Sequence, residues 1–301
     1  MADIGLAWVN PAPFIKPENV INFAKKCEAV GCHSMWSVDF LGSDNLEPLT
    51  ILAAAAGVTQ RIRLGTSMLL GNLRHPSHLA KIISSLDFIS NGRFTLGLGL
   101  GSRESDYKAV EIDYAHRGSR EVEHVQLMKR LWTEKTVTHR GQFFNVENLS
   151  IGPRPVQKPH PPIWIGGSAE HALKRAGTWA DGFICGNAAI PNFPATWEKI
   201  AGYAKIVGRD PSKIAKAGLT FMAIDDGQNK AVNTVENYVM RYYGIRFDVA
   251  NTCLVGSSAA IVDRIGAFLS KGLDTLIIGV ADPNPKQLDL FGEKVFSNLN
   301  H

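Results

Sequence analysis

Cysteine is scarce in this chain, at four among 301 residues. Cys27, Cys32, Cys185 and Cys253 are too few and too scattered for a disulfide framework, and their spacing fits no zinc site. They read as buried thiols of a reducing compartment, so a cytoplasmic location is the expectation. Long hydrophobic runs are missing too, and no membrane span is expected. The first residues lack a basic region followed by a long apolar stretch, which argues against a secretory signal. Charge of one sign is not in excess: 32 Lys and Arg face 28 Asp and Glu, and the basic residues are scattered. Without a basic stripe, nucleic acid is not an expected partner. The small positive balance suits an anionic small ligand without demanding one. The histidines lack metal spacing. Pro76 separates His75 from His78, no carboxylate completes a set, and His116, His124, His160 and His171 stand apart. No metal site is expected.

What the chain has is apolar mass and repetition. Hydrophobic residues make up 45%, enough for a large core. Asn91-Gly92 is turn chemistry, and Phe94 to Leu98 is an apolar run suited to a parallel strand covered on both faces. Gly97, Gly99 and Gly101 then strip side chains from that strand's carboxyl end, leaving backbone on which a flat ligand can lie. Glycine here equally lets a neighbouring element pack closely, and both readings stand.

The same grammar recurs. Strands are expected at Ile4 to Val9, Ser34 to Val38, Leu64 to Leu69, Phe94 to Leu98, Ile163 to Ile165, Gly182 to Cys185, Gly218 to Ala223 and Thr275 to Ile278. Helices are expected at Pro17 to Val30, Pro48 to Val58, Pro76 to Ile89, Arg120 to Trp132, Ala169 to Trp179, Ala195 to Val207, Asn229 to Tyr243, Ala259 to Leu269 and Pro285 to Phe296. The alternation predicts parallel strands joined by right-handed crossovers. Periodicity alone leaves a (β/α)8 barrel and a doubly wound sheet open. Insertions fall at residues 103–118, at 133–162 with a hairpin around Arg140-Gly141, and at 186–194. The first and last follow strand ends, where barrel enzymes place substrate loops. The middle one begins on the opposite side. No linker divides the chain, which reads as one domain over residues 1–301.

Several short motifs occur in order. They are Leu64-Gly65-Thr66-Ser67-Met68, Arg74-His75-Pro76 with Ala80-Lys81, and Leu86-Asp87 with Ser90-Asn91-Gly92-Arg93. Arg117-Gly118-Ser119-Arg120 follows, then Pro161-Pro162-Ile163-Trp164-Ile165-Gly166-Gly167-Ser168, Ala180-Asp181-Gly182 and Val255-Gly256-Ser257. Together they resemble the bacterial luciferase-like superfamily, over most of the chain. The resemblance implies a TIM barrel that binds reduced flavin (FMN) or a deazaflavin (coenzyme F420). It also implies a homodimer, with Pro48 to Val58 and Pro76 to Ile89 packed across a two-fold axis. A separate flavin reductase is a further candidate partner.

Site residues follow from residue type and resemblance together. Gly166-Gly167-Ser168 lies between a strand and a helix, where free N–H groups make an anion site. The plain alternative is Ser168 as N-cap. The resemblance favours the cofactor phosphate. It also implies a non-proline cis peptide at Ser67-Met68 that props the ring, with Gly99, Gly101 and Ser102 beside it. Asp39, read as the end of strand two, is the candidate catalytic group: a general base, or an acid if burial raises its pKa. The plain reading of Asp39 is a turn cap, and Trp36 reads as core. Leu100 and Ser102 replace a threonine and a glutamate seen in some deazaflavin-dependent relatives, with Glu104 nearby. Asp39 replaces a common histidine. The chain therefore reads as a luciferase-like monooxygenase using reduced FMN and oxygen on a small organic substrate. An F420-dependent hydride-transfer enzyme and a flavin-binding protein without turnover are the alternatives.

Overall fold

The computed structural model describes residues 2–9, 16–244 and 246–299. In chain order the elements are β1 (Asp3–Trp8), α1 (Pro17–Val30), β2 (Ser34–Ser37), α2 (Pro48–Val58), β3 (Arg63–Thr66), α3 (Pro76–Ile89) and β4 (Phe94–Leu98). Then come α4 (Glu104–Lys108), α5 (Arg117–Thr133), β5 (Val137–Arg140), β6 (Asn145–Leu149), β7 (Ile163–Gly166), α6 (Glu170–Trp179), β8 (Gly182–Gly186) and α7 (Phe193–Ile206). The chain continues with β9 (Ala215–Ile224), α8 (Gln228–Tyr243), α9 (Val249–Thr252), β10 (Leu254–Gly256), α10 (Ser258–Leu269), β11 (Thr275–Val280) and α11 (Lys286–Leu290).

Among the described residues, eight strands close into a parallel barrel in the order β1-β2-β3-β4-β7-β8-β9-β11, and β11 returns to β1. The closing pair runs Asp3 to Ala7 against Thr275 to Gly279. Closure selects the (β/α)8 barrel over the open doubly wound sheet. Every residue of β4 and β11 is buried, as parallel strands covered on both faces require. Three elements escaped the periodicity because they are too short to show one: the short α4 and α9, and β10, which pairs with Met222 to Ile224 at the end of β9.

Trp36 and Trp164 meet inside the barrel with ring centroids 5.4 Å apart. Trp36 is core, as read. Below these indoles, at the amino ends of the strands, lies a cavity of about 500 Å³. The insertion at 133–162 belongs to that side or to the outer wall. Its β5–β6 hairpin is fastened by Glu123, whose carboxylate accepts the N–H groups of Gln142, Phe143 and Phe144. Gln157 then ties the returning loop to Asp87 and to the carbonyl of Phe94.

Strand three was expected to reach Leu69, but β3 ends at Thr66. The Ser67–Met68 peptide is cis, as the resemblance implied. The Thr66 hydroxyl takes over the ladder here: it donates to the Gly97 carbonyl at 2.8 Å and accepts the Gly97 N–H at 3.0 Å. Pairing resumes at Leu69, whose N–H donates to the same carbonyl at 2.8 Å. Ser67 and Met68 are thereby pushed out at the barrel's carboxyl end. The approach is so close that a Cβ on Gly97 would sit 1.9 Å from the Thr66 carbonyl oxygen. Gly97 is therefore a packing requirement of the β3–β4 seam, whereas Gly99 and Gly101 lie beyond it.

Candidate functional site

The bulge opens into a cavity of about 1190 Å³ at the carboxyl ends of the strands, the face on which barrels build their sites. Its floor is apolar, formed by Val38, Met68, Ile184, Leu219 and Phe221. The insertions at 103–118 and 186–194 reach it through residues such as Arg103, Arg117, Asn187 and Ala189, whereas none of the described residues 133–162 does.

The structure brings the expected residues together. Asp39, Ser67, Met68, Gly99, Gly101, Ser102, Gly166, Gly167 and Ser168 all line this one cavity. Three details refine the sequence reading. First, β2 ends at Ser37, so Asp39 belongs to the following loop. Its setting is polar: Oδ2 accepts the Leu70 N–H at 3.0 Å and faces Arg74 Nη1 at 2.7 Å. It does not cap its own turn, which Ser43 closes through the Phe40 carbonyl. Oδ1 has no hydrogen-bond partner among the described residues.

Second, Gly99 and Gly166 make room for Met68 as well as lining the cavity: a Cβ on Gly99 would lie 2.9 Å from Met68 Cβ, and one on Gly166 would lie 3.1 Å from Met68 Cε. Third, Ser168 is exposed and caps nothing. The N-cap of α6 is Ala169, and no side chain satisfies the helix's first N–H groups. The plain N-cap reading of Ser168 therefore fails, and α6 presents open amides and the positive end of its dipole. Glu104 is exposed and paired with Lys108, and it does not line the cavity.

Beside α6 the cavity is cationic. Arg117, His171, Lys174 and Arg175 all line it. The Nε groups of Arg117 and Arg175 are buried without a hydrogen-bond acceptor, and an unmet buried donor is costly unless a ligand satisfies it. The Ser67 hydroxyl is buried and unpartnered too. Behind Arg175 stands Glu121, its Oε2 3.1 Å from Arg175 Nε. Burial pushes the Glu121 carboxyl up to about 7, against the opposing pull of Arg175. Burial holds His124 down at about 3, so its neutral ring donates Nε2–H to the Arg74 carbonyl at 3.1 Å.

Across the cavity stands an aromatic wall. Phe40 contacts Tyr242 and Tyr243 at centroid distances of 5.7 and 5.2 Å, and Tyr243 contacts Phe247 at 5.5 Å. The Tyr242 hydroxyl is fixed by Asp44 at 2.8 Å. Sequence reasoning missed this wall and missed Glu121 and Arg175, because tertiary packing assembles them from separate helices. Arg117 was visible as part of the Arg117-Gly118 motif. Among the described residues no three His, Cys, Asp or Glu side chains are grouped to hold a metal.

Comparison with known proteins places this geometry. A family model described as luciferase-like monooxygenase matches residues 5–247. The F420-dependent hydroxymycolic acid dehydrogenase of Mycobacterium tuberculosis is 28% identical over 72% of this chain and 62% of its own length. The chain thus matches less than two thirds of that relative. The FMNH2-dependent dimethylsulfone monooxygenase of Pseudomonas putida is 24% identical over 84% of this chain and 79% of its own length. Among solved structures, the monooxygenase RslO1 from Streptomyces bottropensis superposes with a TM-score of 0.83 at 23% identity, covering 98% of this chain and 99% of that one.

Proposed function

The chain belongs to the luciferase-like monooxygenase family, whose members here include FMN- and F420-dependent oxidoreductases, and from that premise we propose that it uses reduced FMN and oxygen to oxidise a small, flat, apolar organic substrate. The cavity itself carries this reading. One space joins a donor-rich end suited to a phosphate with an apolar, aromatic end suited to a ring and a substrate. The residues fit such a cofactor. The open amides of α6, with Gly167, Ser168, Arg117 and Arg175, would hold the phosphate. Met68 and the Gly99–Gly101 loop would bound the ring. When bound, the reduced flavin supplies the two electrons and the reactivity toward oxygen.

The chain supplies position and dryness. Val38, Leu219 and Phe221 keep water from the ring end. Phe40, Tyr242, Tyr243 and Phe247 offer flat faces against which an aromatic or alicyclic substrate packs. Asp39 presents Oδ1 as a fixed acceptor for an N–H or O–H of ring or substrate. Position 39 holds an aspartate and position 102 a serine, so of these two positions only Asp39 can exchange a proton. The dehydrogenase relative and the cationic wall favour F420, with its longer anionic tail, as the second reading. Anaerobic titration with reduced FMN and reduced F420, followed by oxygen-uptake measurement, separates them. Tighter FMN binding with substrate-dependent oxygen uptake supports the proposal. F420 binding without oxygen uptake replaces it with hydride transfer, and binding without any turnover on a broad substrate panel replaces it with a flavin carrier.

Assembly as a homodimer belongs to the same proposal. Phe88 and Ile89, at the end of α3, are 60% and 56% exposed, and large apolar side chains paired in this way mark association surfaces. A dimer through α2 and α3 should bury more than ~1,000 Å². Light scattering at micromolar concentration should give twice the chain mass, and Phe88→Asp with Ile89→Asp should return the monomer. A monomeric wild-type mass rejects the dimer. No helix among the described residues is long and apolar enough to cross a membrane.

A further inference from the structure

Arg175 lines the cavity, while Glu121 is buried behind it and does not. Their side chains are 12% and 6% exposed. The close approach of 3.1 Å meets distance but not hydrogen-bond geometry, since Arg175 Nε has no acceptor in line. The contact is therefore charge against charge in a dry seam between α5 and α6. It leaves the guanidinium's donors for something else.

We propose that Glu121 is a positioning residue that couples anion binding at Arg175 to its own protonation, so that the cofactor's anionic group is gripped most tightly when Glu121 is neutral. This rests on the cofactor reading above. An ionised Glu121 neutralises Arg175 and adds its own repulsion toward an arriving phosphate. A protonated Glu121 leaves the full charge of Arg175 to the ligand. An anion on Arg175 in turn removes the attraction that keeps Glu121 ionised. Each event favours the other, and the coupling is reciprocal.

The surroundings isolate this titration. Tyr107 of α4 faces Glu121, and burial raises its phenol above the ordinary value. His124, one turn along α5, is held far below neutrality by burial. His75, at the start of α3, is lowered by burial as well. Arg117 stacks on Tyr114, and Arg120 stacks on Phe144. Free Glu121 already titrates near pH 7. Anion binding raises its proton affinity further, so binding takes up a proton and weakens as pH rises above 7. His171 and Lys174 line the same cavity, and any pH dependence from the rest of the cavity is the residual slope that Glu121→Gln retains.

The test is calorimetric titration of the full chain with inorganic phosphate and with FMN at pH 7 to 9, in two buffers of different ionisation enthalpy. For FMN, a phosphate monoester, that range lies above the second phosphate ionisation, at about 6, which would otherwise oppose the effect; inorganic phosphate ionises about a unit higher, so its arm is read from pH 8 to 9. Wild type should lose roughly tenfold in affinity across it and take up protons on binding. Glu121→Gln should flatten the profile to the residual slope and abolish the Glu121 share of uptake, and Glu121→Asp should restore both. No proton uptake by wild type, or uptake unchanged in Glu121→Gln, overturns the coupling, as does failure of wild type to bind phosphate at any pH. The wild-type measurement decides even if a variant does not fold. Phosphate behaving as described while neither FMN nor F420 binds leaves the coupling standing and removes the cofactor reading. FMN binding without Glu121-dependent uptake does the reverse.

Discussion

Asp39→Asn should lower turnover roughly 100-fold, at the low end of the range for a lost acid–base group, while cofactor affinity changes by less than about threefold. Geometry makes the substitution clean. Asparagine has the same shape, and its amide oxygen can take the Leu70 N–H and Arg74 Nη1 that Asp39 Oδ2 accepts now. The loop and the Arg74 contact then survive, and Arg74 keeps Glu47 at 3.0 Å. What changes is the group facing the cavity. A carboxylate oxygen that only accepts becomes an amide NH2 that only donates, and a titratable charge disappears. A ring or substrate N–H that met Oδ1 now meets another donor. The proposed phosphate contacts lie on the α6 side and should be unaffected. Steady-state rates across pH, with cofactor titration in parallel, check this. Full turnover at every pH would show that Asp39 only anchors Arg74 and Leu70. Loss of cofactor affinity as large as the loss of turnover would show that it holds the ring.

Local chemistry was legible where it decides local structure. α1, α2 and α3 run over the residues read from the sequence, because a proline opens each one, with an apolar stripe along α1 and α3 and an alanine-rich sequence in α2. Buried parallel strands appear as short apolar runs, so β4 stood out at once. β3 was read too long because Leu69 continues the apolar run, whereas at Ser67 the chain leaves its ladder with β4 and Thr66 bridges the gap with its hydroxyl. No propensity reports a side chain doing the work of a backbone pair. Closure of the barrel was unreadable for a similar reason: Asp3 meets Thr275 across nearly the whole sequence.

The site divides in the same way. The strand-to-helix turn at Gly166-Gly167-Ser168 is local, and it was found. The Glu121–Arg175 pair joins two helices, and neither residue carries a local mark. A glutamate on a helix normally faces water, and only the packing of α5 against its neighbours buries this one. The aromatic wall likewise depends on how the end of α8 folds over Phe40. Motifs thus located the glycine-lined end of the cavity, beside α6, where we propose the phosphate binds. The apolar, aromatic end was left to tertiary structure.

That division makes the phosphate end the stronger place for a disruptive test. Gly167→Asp should weaken FMN binding roughly 100-fold, about 2.7 kcal/mol. Gly167 sits at φ 136, a conformation that side chains rarely adopt. A Cβ there would also lie 2.9 Å from the Cβ of Ala172 on α6. The turn is held in this shape with nothing to fill it, directly before the open amides of α6. An aspartate adds two insults: strain in the turn, and a negative charge beside the place where the phosphate charge should rest. Gly167→Ala separates them, since it carries the strain and the contact with Ala172 but no charge. If the anion sits here, Gly167→Ala should lose only a few-fold in affinity and Gly167→Asp the full amount, and the gap should narrow with added salt as charges are screened. Circular dichroism and thermal unfolding confirm that both variants fold. Equal losses in the two variants would assign the effect to the turn's shape. Unchanged affinity for both FMN and F420 in Gly167→Asp would place the phosphate elsewhere in the cavity, with Arg117 and Arg175 as its remaining partners.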